Sequence, residues 1–526
     1  MAEILKREVD EKREADNKRE VDVLVVGGAT TGLYFGGLMA RQGKRVLICD
    51  SASEDELGAV FDIIHIAKEH FERFGIKEPA PGDEAYVSSF TRSIQRSALN
   101  NWPKNSYGNT LVLRRVPLIK SLLAWALEQG AELLFETHFE QPVFNDEGKL
   151  VGAKFSQGNG GELAGSRASQ SNADEHADAR LSQGNGGELA DARFSQGSTD
   201  EPADARALQS NTDELIVEAK LIADASGIPA VVRTALPDGY GVENFVCTPR
   251  HQFYVILHYV DLANPERDHV DVTTTWTHYK IWLAPQHGSN GAIMGVGANL
   301  SFDYAERVYE RFLTKGFMPP HTLEHLEQGS TPYCRIPYSL VADGLVVLGT
   351  AACISNPWSG EGVPYSWLQC QITAEVCERA MEKGAYPTKE SLWPINVQYQ
   401  KAQGALFAKN LAMLSGATDC TEQENDYEYE KGIIYENQDE DGNSTERGSM
   451  IGKLIKGLLT RKISLSTLRK LMAASSIGEK IEKHYLAYPR TPKGLADWSA
   501  EAEVLWSQAG SMASLAEADL AQMQSD

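Results

Sequence analysis

The feature that most constrains the fold of this chain is a short aliphatic run followed at once by a glycine-rich turn. Residues 21–26 predict a strand buried within a parallel sheet. The turn at residues 27–32 leads into a predicted helix over 33–42, whose N-terminal N–H groups can face a pyrophosphate. A second strand over 45–50 ends in an acid at the spacing that suits a ribose. The predicted dinucleotide-binding residues are Gly27, Gly28, Ala29, Gly32 and Asp50. The alternative is an ordinary βαβ unit with a glycine-rich turn.

Composition narrows the classes of partner and compartment. The chain has 526 residues and a net charge of -23, so nucleic acid is not an expected partner. Residues 1–20 are charged and lack the apolar core of a signal peptide, and no apolar run approaches the ~20 residues of a membrane span. The seven cysteines form no C-x-x-C pair and no zinc or iron–sulfur spacing. We therefore expect a cytoplasmic protein with reduced thiols and no metal site.

A second glycine-rich region lies far along the chain. The aliphatic run 345–348 leads into Gly349-Thr350, and then into Asn356-Pro-Trp-Ser-Gly-Glu-Gly362. A helix is predicted from Val363 to about residue 382. Backbone N–H groups at its N-terminus can approach the pyrimidine end of an isoalloxazine ring. With the first turn, this region resembles the two halves of an FAD site in glutathione-reductase-type flavoproteins.

Further motifs follow in order and extend the resemblance over residues 20–375, apart from a repeat insertion. They are Leu113-Arg-Arg-Val-Pro, Ala223-Asp-Ala-Ser-Gly-Ile-Pro-Ala-Val-Val-Arg233, Tyr279-Lys-Ile-Trp-Leu-Ala-Pro285, Gly295-Val-Gly297 and Arg335-Ile-Pro337. Together they resemble the geranylgeranyl reductase and FixC-type branch of FAD-dependent oxidoreductases, whose fold is that of p-hydroxybenzoate hydroxylase. The implied fold class is α/β, with a Rossmann-like FAD-binding domain of the glutathione-reductase type, a β-sheet substrate domain and a helical C-terminal region.

The resemblance implies FAD as cofactor and adds further cofactor-binding residues. These are Arg115, Asp224, Gly227, Gly349, Thr350, Pro357, Gly360, Gly362 and Val363. The chain departs from the family at Thr350, where an aspartate normally holds the ribityl chain. A threonine hydroxyl can still hydrogen-bond a ribityl hydroxyl, although it carries no charge.

Two pairs of residues are candidates for substrate binding and catalysis. By analogy with the family, Tyr279 and Trp282 line an apolar substrate pocket; the alternative is packing in the core of a sheet. Asp62 and His65, spaced i and i+3, can share one helix face and act as an acid–base pair. The alternative for this second pair is a hydrogen bond on a helix face or a helix cap.

The predicted domains are discontinuous. Residues 20–80, 110–150, 213–235 and 335–380 form the FAD-binding domain, and residues 81–109 and 236–334 form the substrate domain. Residues 155–212 repeat Ser-Gln-Gly-Asn-Gly-Gly-Glu-Leu-Ala, which predicts a low-complexity insertion at the tip of a β-meander, after a hairpin that turns at residues 146–148. Residues 381–526 are predicted to be helical, with an acidic loop over 421–447.

The C-terminal region also carries a basic, apolar segment. Residues 449–473 place Lys and Arg among Leu and Ile at roughly helical spacing. Such a segment suits a membrane-surface helix, which would make the protein membrane-peripheral. The alternative is a helix packed on the body with its basic face in solvent.

The leading functional prediction is a reductase or dehydrogenase that moves a hydride between flavin N5 and an apolar, isoprenoid- or lipid-like substrate. Its electron donor is NAD(P)H or a partner flavoprotein or ferredoxin. Three alternatives stay open: a flavin-dependent aromatic monooxygenase, a carrier that passes electrons from an electron-transfer flavoprotein to a quinone, and a flavin-free binding module.

Overall fold

The computed structural model describes residues 18–58, 61–157, 163–164, 213–264, 272–285 and 291–525. Most of the repeat insertion lies outside these residues. The strands within them are, in chain order, β1 Lys18–Val26, β2 Val46–Cys49, β3 Ile63–Ala67, β4 Tyr86–Arg96, β5 Lys104–Arg114, β6 Glu132–Leu134, β7 Thr137–Phe144, β8 Leu150–Gln157, β9 Leu163–Ala164, β10 Asp213–Asp224, β11 Gln252–Leu262, β12 Thr273–Trp276, β13 Lys280–Pro285, β14 Gly291–Asn299, β15 His321–Pro332, β16 Val341–Ala342 and β17 Leu345–Val347.

The α-helices surround these strands and dominate the C-terminal third. They are, in chain order, α1 Thr30–Arg41, α2 Glu69–Phe74, α3 Arg115–Glu128, α4 Val231–Thr234, α5 Phe302–Thr314, α6 Val363–Ala380, α7 Lys389–Leu392, α8 Pro394–Tyr399, α9 Ala405–Thr418, α10 Glu422–Glu430, α11 Met450–Leu459, α12 Leu465–Leu486, α13 Leu495–Trp506 and α14 Met512–Ser525. Among the described residues, no helix combines the length and the apolar character needed to cross a bilayer.

Two sheets organise the described strands. The first has the order β16-β17-β10-β1-β2-β6-β9, with the hairpin β7–β8 joined to β10. Its centre, from β17 to β6, is parallel, and the C-terminal halves of the strands there are aliphatic and buried, as expected for a sheet covered on both faces. The second sheet has the order β15-β11-β14-β13-β12-β4-β5-β3 and is mainly antiparallel.

The register of the first sheet brings the ends of distant strands together. Val26 at the end of β1 pairs with Asp224 at the end of β10, and Asp224 pairs in turn with Val347 at the end of β17. Cys49 at the end of β2 lies beside Val26 on the other side. The turns that follow these strands therefore all leave the sheet at one edge, where α/β folds bind their ligands.

Most local predictions in the described residues are confirmed. The first strand, helix and second strand correspond to β1, α1 and β2, the hairpin to β7 and β8, and the late helix to α6. Strand β3 lies inside the span 20–80 that was assigned to the cofactor domain, but it pairs with β5 in the second sheet. The domain boundaries otherwise stay a prediction.

The predicted acidic loop over 421–447 is wrong at its start, where the chain forms helix α10. A capping box begins this helix: Thr421 Oγ1 accepts a hydrogen bond from the Glu424 N–H at 3.2 Å, and Glu424 Oε2 accepts one from the Thr421 N–H at 2.9 Å. Tyr427 and Glu428 are buried on the same helix. The acidic composition of this segment predicted a loop and gave no sign of the buried face of the helix.

Candidate cofactor and substrate site

A cavity of about 350 Å³ lies between the two sheets, at the edge where the parallel strands end. The N-terminus of α1, strand β3, the start of α3, one face of the second sheet and the loop before α6 all contribute to its wall. Its lining includes Thr30, Thr31, Phe61, Ile63, His65, Arg115, Val255, Leu257, Lys280, Trp282, Ile293, Thr350, Ser359, Gly360, Gly362 and Val363. The part formed by β3 and the second sheet is largely apolar.

The turn after β1 has the tight geometry that a dinucleotide site needs. Gly27 has a φ of +104°, and a Cβ added to Gly32 would lie 1.8 Å from the Gly27 carbonyl oxygen. Ala29 caps α1 with a φ of −83°, an extended conformation that alanine adopts without strain. Ala29 stands where the G-x-G-x-x-G turn of dinucleotide sites has its second glycine, and this alanine is therefore compatible with the turn itself.

Asp50 holds this turn from the end of β2. Its Oδ2 accepts a hydrogen bond from the Gly28 N–H at 2.5 Å, and its Oδ1 accepts one from the Ala52 N–H at 2.8 Å. Each carboxylate oxygen has a further lone pair. Asp50 can thus fix the turn and still accept hydrogen bonds from ribose hydroxyls.

The turn after β17 contacts the first turn directly. A Cβ added to Gly349 would lie 2.6 Å from Thr31 Oγ1, and the Gly349 N–H donates to Gln369 Oε1 at 2.8 Å. Thr350 lines the cavity beside Thr31. This part of the wall consequently offers neutral hydroxyls in place of the family carboxylate.

Asp224 and Gly227 shape the neighbouring turn and do not line the cavity. Asp224 is buried, and its carboxylate accepts hydrogen bonds from the Ser226 hydroxyl at 2.6 Å and the Arg233 N–H at 2.8 Å. Burial raises the pKa of Asp224. The carbonyl of Ala225 abuts Gly27, so this turn supports the dinucleotide turn from behind.

The two neighbouring arginines at the start of α3 have different environments. Arg115 lines the cavity, and its Nε is buried without a hydrogen-bond partner among the described residues. Burial lowers the pKa of Arg115. Arg114 is exposed and donates from Nε to Asp62 Oδ2 at 3.2 Å. Of the two, Arg115 is the one that can reach a bound cofactor.

The helix predicted for Asp62 and His65 is wrong. Residues 63–67 form strand β3, and Asp62 precedes this strand, so the two residues do not lie one turn apart on a helix face. His65 lines the cavity and contacts the Phe90 ring at 5.5 Å between centroids. Asp62 pairs with Arg114. The structure does not bring them together as an acid–base pair.

Strand β13 likewise separates Tyr279 from Trp282. Trp282 lines the cavity and lies over Gly295, where an added Cβ would be 1.9 Å from the indole ring. Tyr279 is buried on the other side of the sheet with Ile281 and α5, and the Arg311 guanidinium lies 5.2 Å from its ring centroid. Tyr279 therefore packs in the core of the sheet, which was the alternative prediction for this residue.

Lys280 is a cavity residue that the sequence reasoning missed. Its Nζ donates a hydrogen bond to the Ser359 carbonyl at 2.9 Å and lies 5.4 Å from the Trp282 ring centroid. Burial lowers the pKa of Lys280 to about 8, and the charge of Glu361 acts in the opposite direction. Strand alternation was the available signal, because Lys280 and Trp282 are two residues apart and share a face.

The loop before α6 is held by its own backbone. The Gly360 N–H donates to the Asn356 carbonyl at 2.8 Å, and the Asn356 N–H donates to the Glu361 carbonyl at 2.8 Å. The Tyr333 hydroxyl donates to the carbonyl of Pro357, which is outside the cavity lining. Gly360, Gly362 and Val363 line the cavity at the start of α6.

These features fit a flavin dinucleotide. The cavity has two helix N-termini, those of α1 and α6, a cationic Arg115 with a buried Nε that lacks a partner among the described residues, and an apolar wall. The residues that can hold the cofactor are Thr30, Thr31, Asp50, Arg115, Thr350, Gly360, Gly362 and Val363.

No protein-family model matches the chain. A digeranylgeranylglycerophospholipid reductase from Sulfolobus acidocaldarius is 22% identical over 501 residues, which cover 92% of this chain and 96% of that protein. A reductase of the same name from Methanoculleus marisnigri is 28% identical over 135 residues, which cover 25% of this chain and 33% of that protein.

Solved structures agree with the fold. A geranylgeranyl bacteriochlorophyll reductase-like protein from Thermoplasma acidophilum superposes with a TM-score of 0.62 at 14% identity, and the match covers 88% of this chain and all of that one. A p-nitrophenol 4-monooxygenase from Pseudomonas putida superposes with a TM-score of 0.51 at 12% identity over 89% of this chain and 97% of that one. The predicted fold class is confirmed.

The Sulfolobus relative matches nearly the whole chain, and residues from several of the motifs that carry the family resemblance line one cavity. On these grounds the predicted resemblance to the geranylgeranyl reductase family of FAD-dependent oxidoreductases is confirmed.

Proposed function

We propose that this protein is an FAD-dependent reductase that adds hydrogen across C=C bonds of an isoprenoid chain carried by a lipid. The observation that carries the proposal is the cavity between the sheets, where helix N-termini and Arg115 meet a wall of Phe61, Ile63, Leu257 and Trp282. The Sulfolobus and Methanoculleus relatives are reductases of geranylgeranyl lipids by name, which supports the same substrate class.

Bound FAD would supply the hydride after reduction by an external electron donor. The residues of the chain would divide the remaining tasks. Arg115 and the N-termini of α1 and α6 would hold anionic or carbonyl groups of the cofactor. Trp282 and the aliphatic side chains would orient an apolar chain and exclude water. Lys280 can hold a proton at Nζ beside the cavity and neutralise negative charge that develops there.

The reductase function predicts a specific reaction without oxygen. We expect the purified protein to bind FAD, to be reduced by dithionite under anaerobic conditions, and to be reoxidised by a phospholipid with geranylgeranyl chains. The product should gain two hydrogens for each C=C bond reduced, as measured by mass spectrometry. Phytanyl lipid, which lacks C=C bonds, is the control substrate.

Two results would contradict this function. Failure to take up FAD would leave the flavin-free binding module as the better hypothesis. Reoxidation that requires oxygen and inserts an oxygen atom into a phenol would favour the aromatic monooxygenase, whose fold is shared by the Pseudomonas structure.

Arg115 and Arg114 form a matched pair for testing the cofactor site. We expect Arg115→Met to weaken FAD binding by about ten- to a hundredfold, because a buried charge-assisted hydrogen bond contributes about 1.5–3 kcal/mol. Arg114→Met should leave FAD affinity within about twofold, since Arg114 is exposed and pairs with Asp62. Titration of the apoprotein with FAD, followed by flavin fluorescence, measures both. Equal effects of the two substitutions would argue against this assignment.

Lys280 predicts an alkaline limit to the reaction. Because burial lowers its pKa from 10.5 to about 8, the positive charge is lost as the pH rises through about 8. The rate of flavin reoxidation by substrate should therefore fall above pH 8 in the wild type. In the Lys280→Arg variant, the rate should stay unchanged to higher pH. In the Lys280→Met variant, the rate should be low at every pH and should show no fall above pH 8.

The titration of Lys280 does not itself destabilise the fold over this range. Folding depresses the pKa of Lys280, so the unfolded chain binds more protons between about pH 8 and 10.5, and the contribution of Lys280 to stability increases over that window. Stopped-flow absorbance under anaerobic conditions gives the rate at each pH. If the rate still fell above pH 8 in Lys280→Met, another group would be responsible for the fall.

We infer also that helix α11 contacts the membrane surface where such a lipid substrate lies. Its inner face packs through Leu454 and Gly457 against Tyr427 and Ile463. Its outer face exposes Ile451, Ile455 and Leu459, the last of which is 79% exposed, beside Lys456. Arg461 and Lys462 follow it, also exposed. An apolar face flanked by cations suits an anionic bilayer surface, and it stands out in a chain of net charge -23.

Vesicle binding tests this surface. The double variant Ile455→Glu/Leu459→Glu should lose most of the binding of the wild type to vesicles that contain phosphatidylglycerol, because it places charge in the interface. Val504→Glu, at a position of α13 that is 61% exposed, is the control and should bind as the wild type does. Co-sedimentation measures the bound fraction. If the double variant and the control bound vesicles equally, α11 would not be the surface that contacts the membrane.

A further inference from the structure

Three cysteines from distant parts of the chain meet where it crosses between the two sheets. Cys247 precedes β11, Cys334 follows β15, and Cys353 ends the turn after β17. Their Sγ atoms all lie within 4.8 Å of one another, and the Sγ atoms of Cys247 and Cys353 are 3.6 Å apart. Cys247 and Cys353 are buried, and Cys334 is half-buried.

These distances suit a shared metal ion. Thiolates bind Zn²⁺ at about 2.3 Å in a tetrahedral arrangement, which places two sulfurs of one site about 3.8 Å apart. The observed separation of Cys247 and Cys353 is close to that value. Structural zinc sites in proteins commonly contain three or four cysteines.

The backbone at Cys353 adds an independent observation. Cys353 has a φ of +58°, in the left-handed region that favours glycine. Its N–H donates to the Thr350 carbonyl at 2.9 Å, so it ends the turn that borders the cavity. A residue with a side chain keeps such a conformation where its surroundings require it, and such residues cluster at functional sites.

A buried cation balances the charge that such a site would carry. Arg233 is fully buried and donates to the carbonyls of Ala351, Glu243 and Phe245, each close in sequence to Cys353 or Cys247. Its Nη2 is buried without a hydrogen-bond partner among the described residues. Three thiolates on Zn²⁺ leave one net negative charge, which an adjacent guanidinium offsets.

We propose that Cys247, Cys334 and Cys353 bind a single Zn²⁺ ion that joins the two chain crossings to the turn at Thr350. The fourth position would be taken by water or another small ligand, since no fourth His, Cys, Asp or Glu is grouped with these three among the described residues. The expectation of no metal site rested on sequence spacing, and these three cysteines come together only in the folded chain. The site is distinct from the proposed flavin chemistry, because none of the three cysteines lines the cavity.

The test uses the full-length protein, reduced without oxygen, exposed to Zn²⁺ and then desalted. We expect about one Zn²⁺ per chain, and X-ray absorption at the zinc edge should show three sulfur ligands at about 2.3 Å. Cys334→Ser should retain Zn²⁺ at least tenfold less tightly in competition with a chelator. Cys420→Ser, at another half-buried cysteine, is the matched control and should bind as the wild type does.

Several results would overturn the proposal. They are the absence of retained Zn²⁺ in the reduced wild type, a zinc spectrum without sulfur ligands, and equal retention by Cys334→Ser and Cys420→Ser. A disulfide between Cys247 and Cys353 in the purified protein, with no Zn²⁺ uptake after reduction, would identify a redox pair in place of the metal site. The wild-type spectrum decides the matter even if Cys334→Ser fails to fold.

Discussion

The parallel register of three strands is the constraint on which the rest of the structure depends. Val26, Asp224 and Val347 end their strands side by side although they lie far apart in sequence. The turns that follow them therefore contact one another. The Ala225 carbonyl leaves no room for a side chain at Gly27, and Thr31 leaves none at Gly349. A candidate cofactor site assembled in this way depends little on any single motif. This explains how Ala29 and Thr350 can replace family residues while the geometry of the edge is kept.

Alternation along the strands of the second sheet decides which side chains reach the cavity. Lys280 and Trp282 share the cavity face of β13, while Ile281 packs against α5. At β3, a strand stands where a helix was predicted, so Asp62 and His65 do not share a helix face. Burial then sets the chemistry of the groups that do reach the cavity, because a cation loses hydration there. The pKa values of both Lys280 and Arg115 are lowered for this reason.

The segments in which the chain crosses between the sheets connect the strand ends of the first sheet with the cavity face of the second. Arg233 donates to the Glu243 and Phe245 carbonyls in the segment before β11 and to the Ala351 carbonyl in the turn that carries Thr350. The thiols of Cys247, Cys334 and Cys353 converge in the same region. A rigid crossing would fix the position of the apolar wall relative to the cofactor edge. The helical C-terminal region adds the exposed apolar and basic face of α11 outside this frame.

By itself, the sequence determined the elements whose signals are local. The run and turn at residues 21–32, the acid at Asp50, the late turn and helix α6 were all readable, because strand burial, turn geometry and helix starts depend on neighbouring residues. The choice of Arg115 over Arg114 came from the family motif. Only the tertiary structure decided which face of β3 and β13 meets the cavity, that α10 has a buried side, and that three dispersed cysteines meet. Those outcomes depend on contacts between residues far apart in sequence, and no local pattern encodes such contacts.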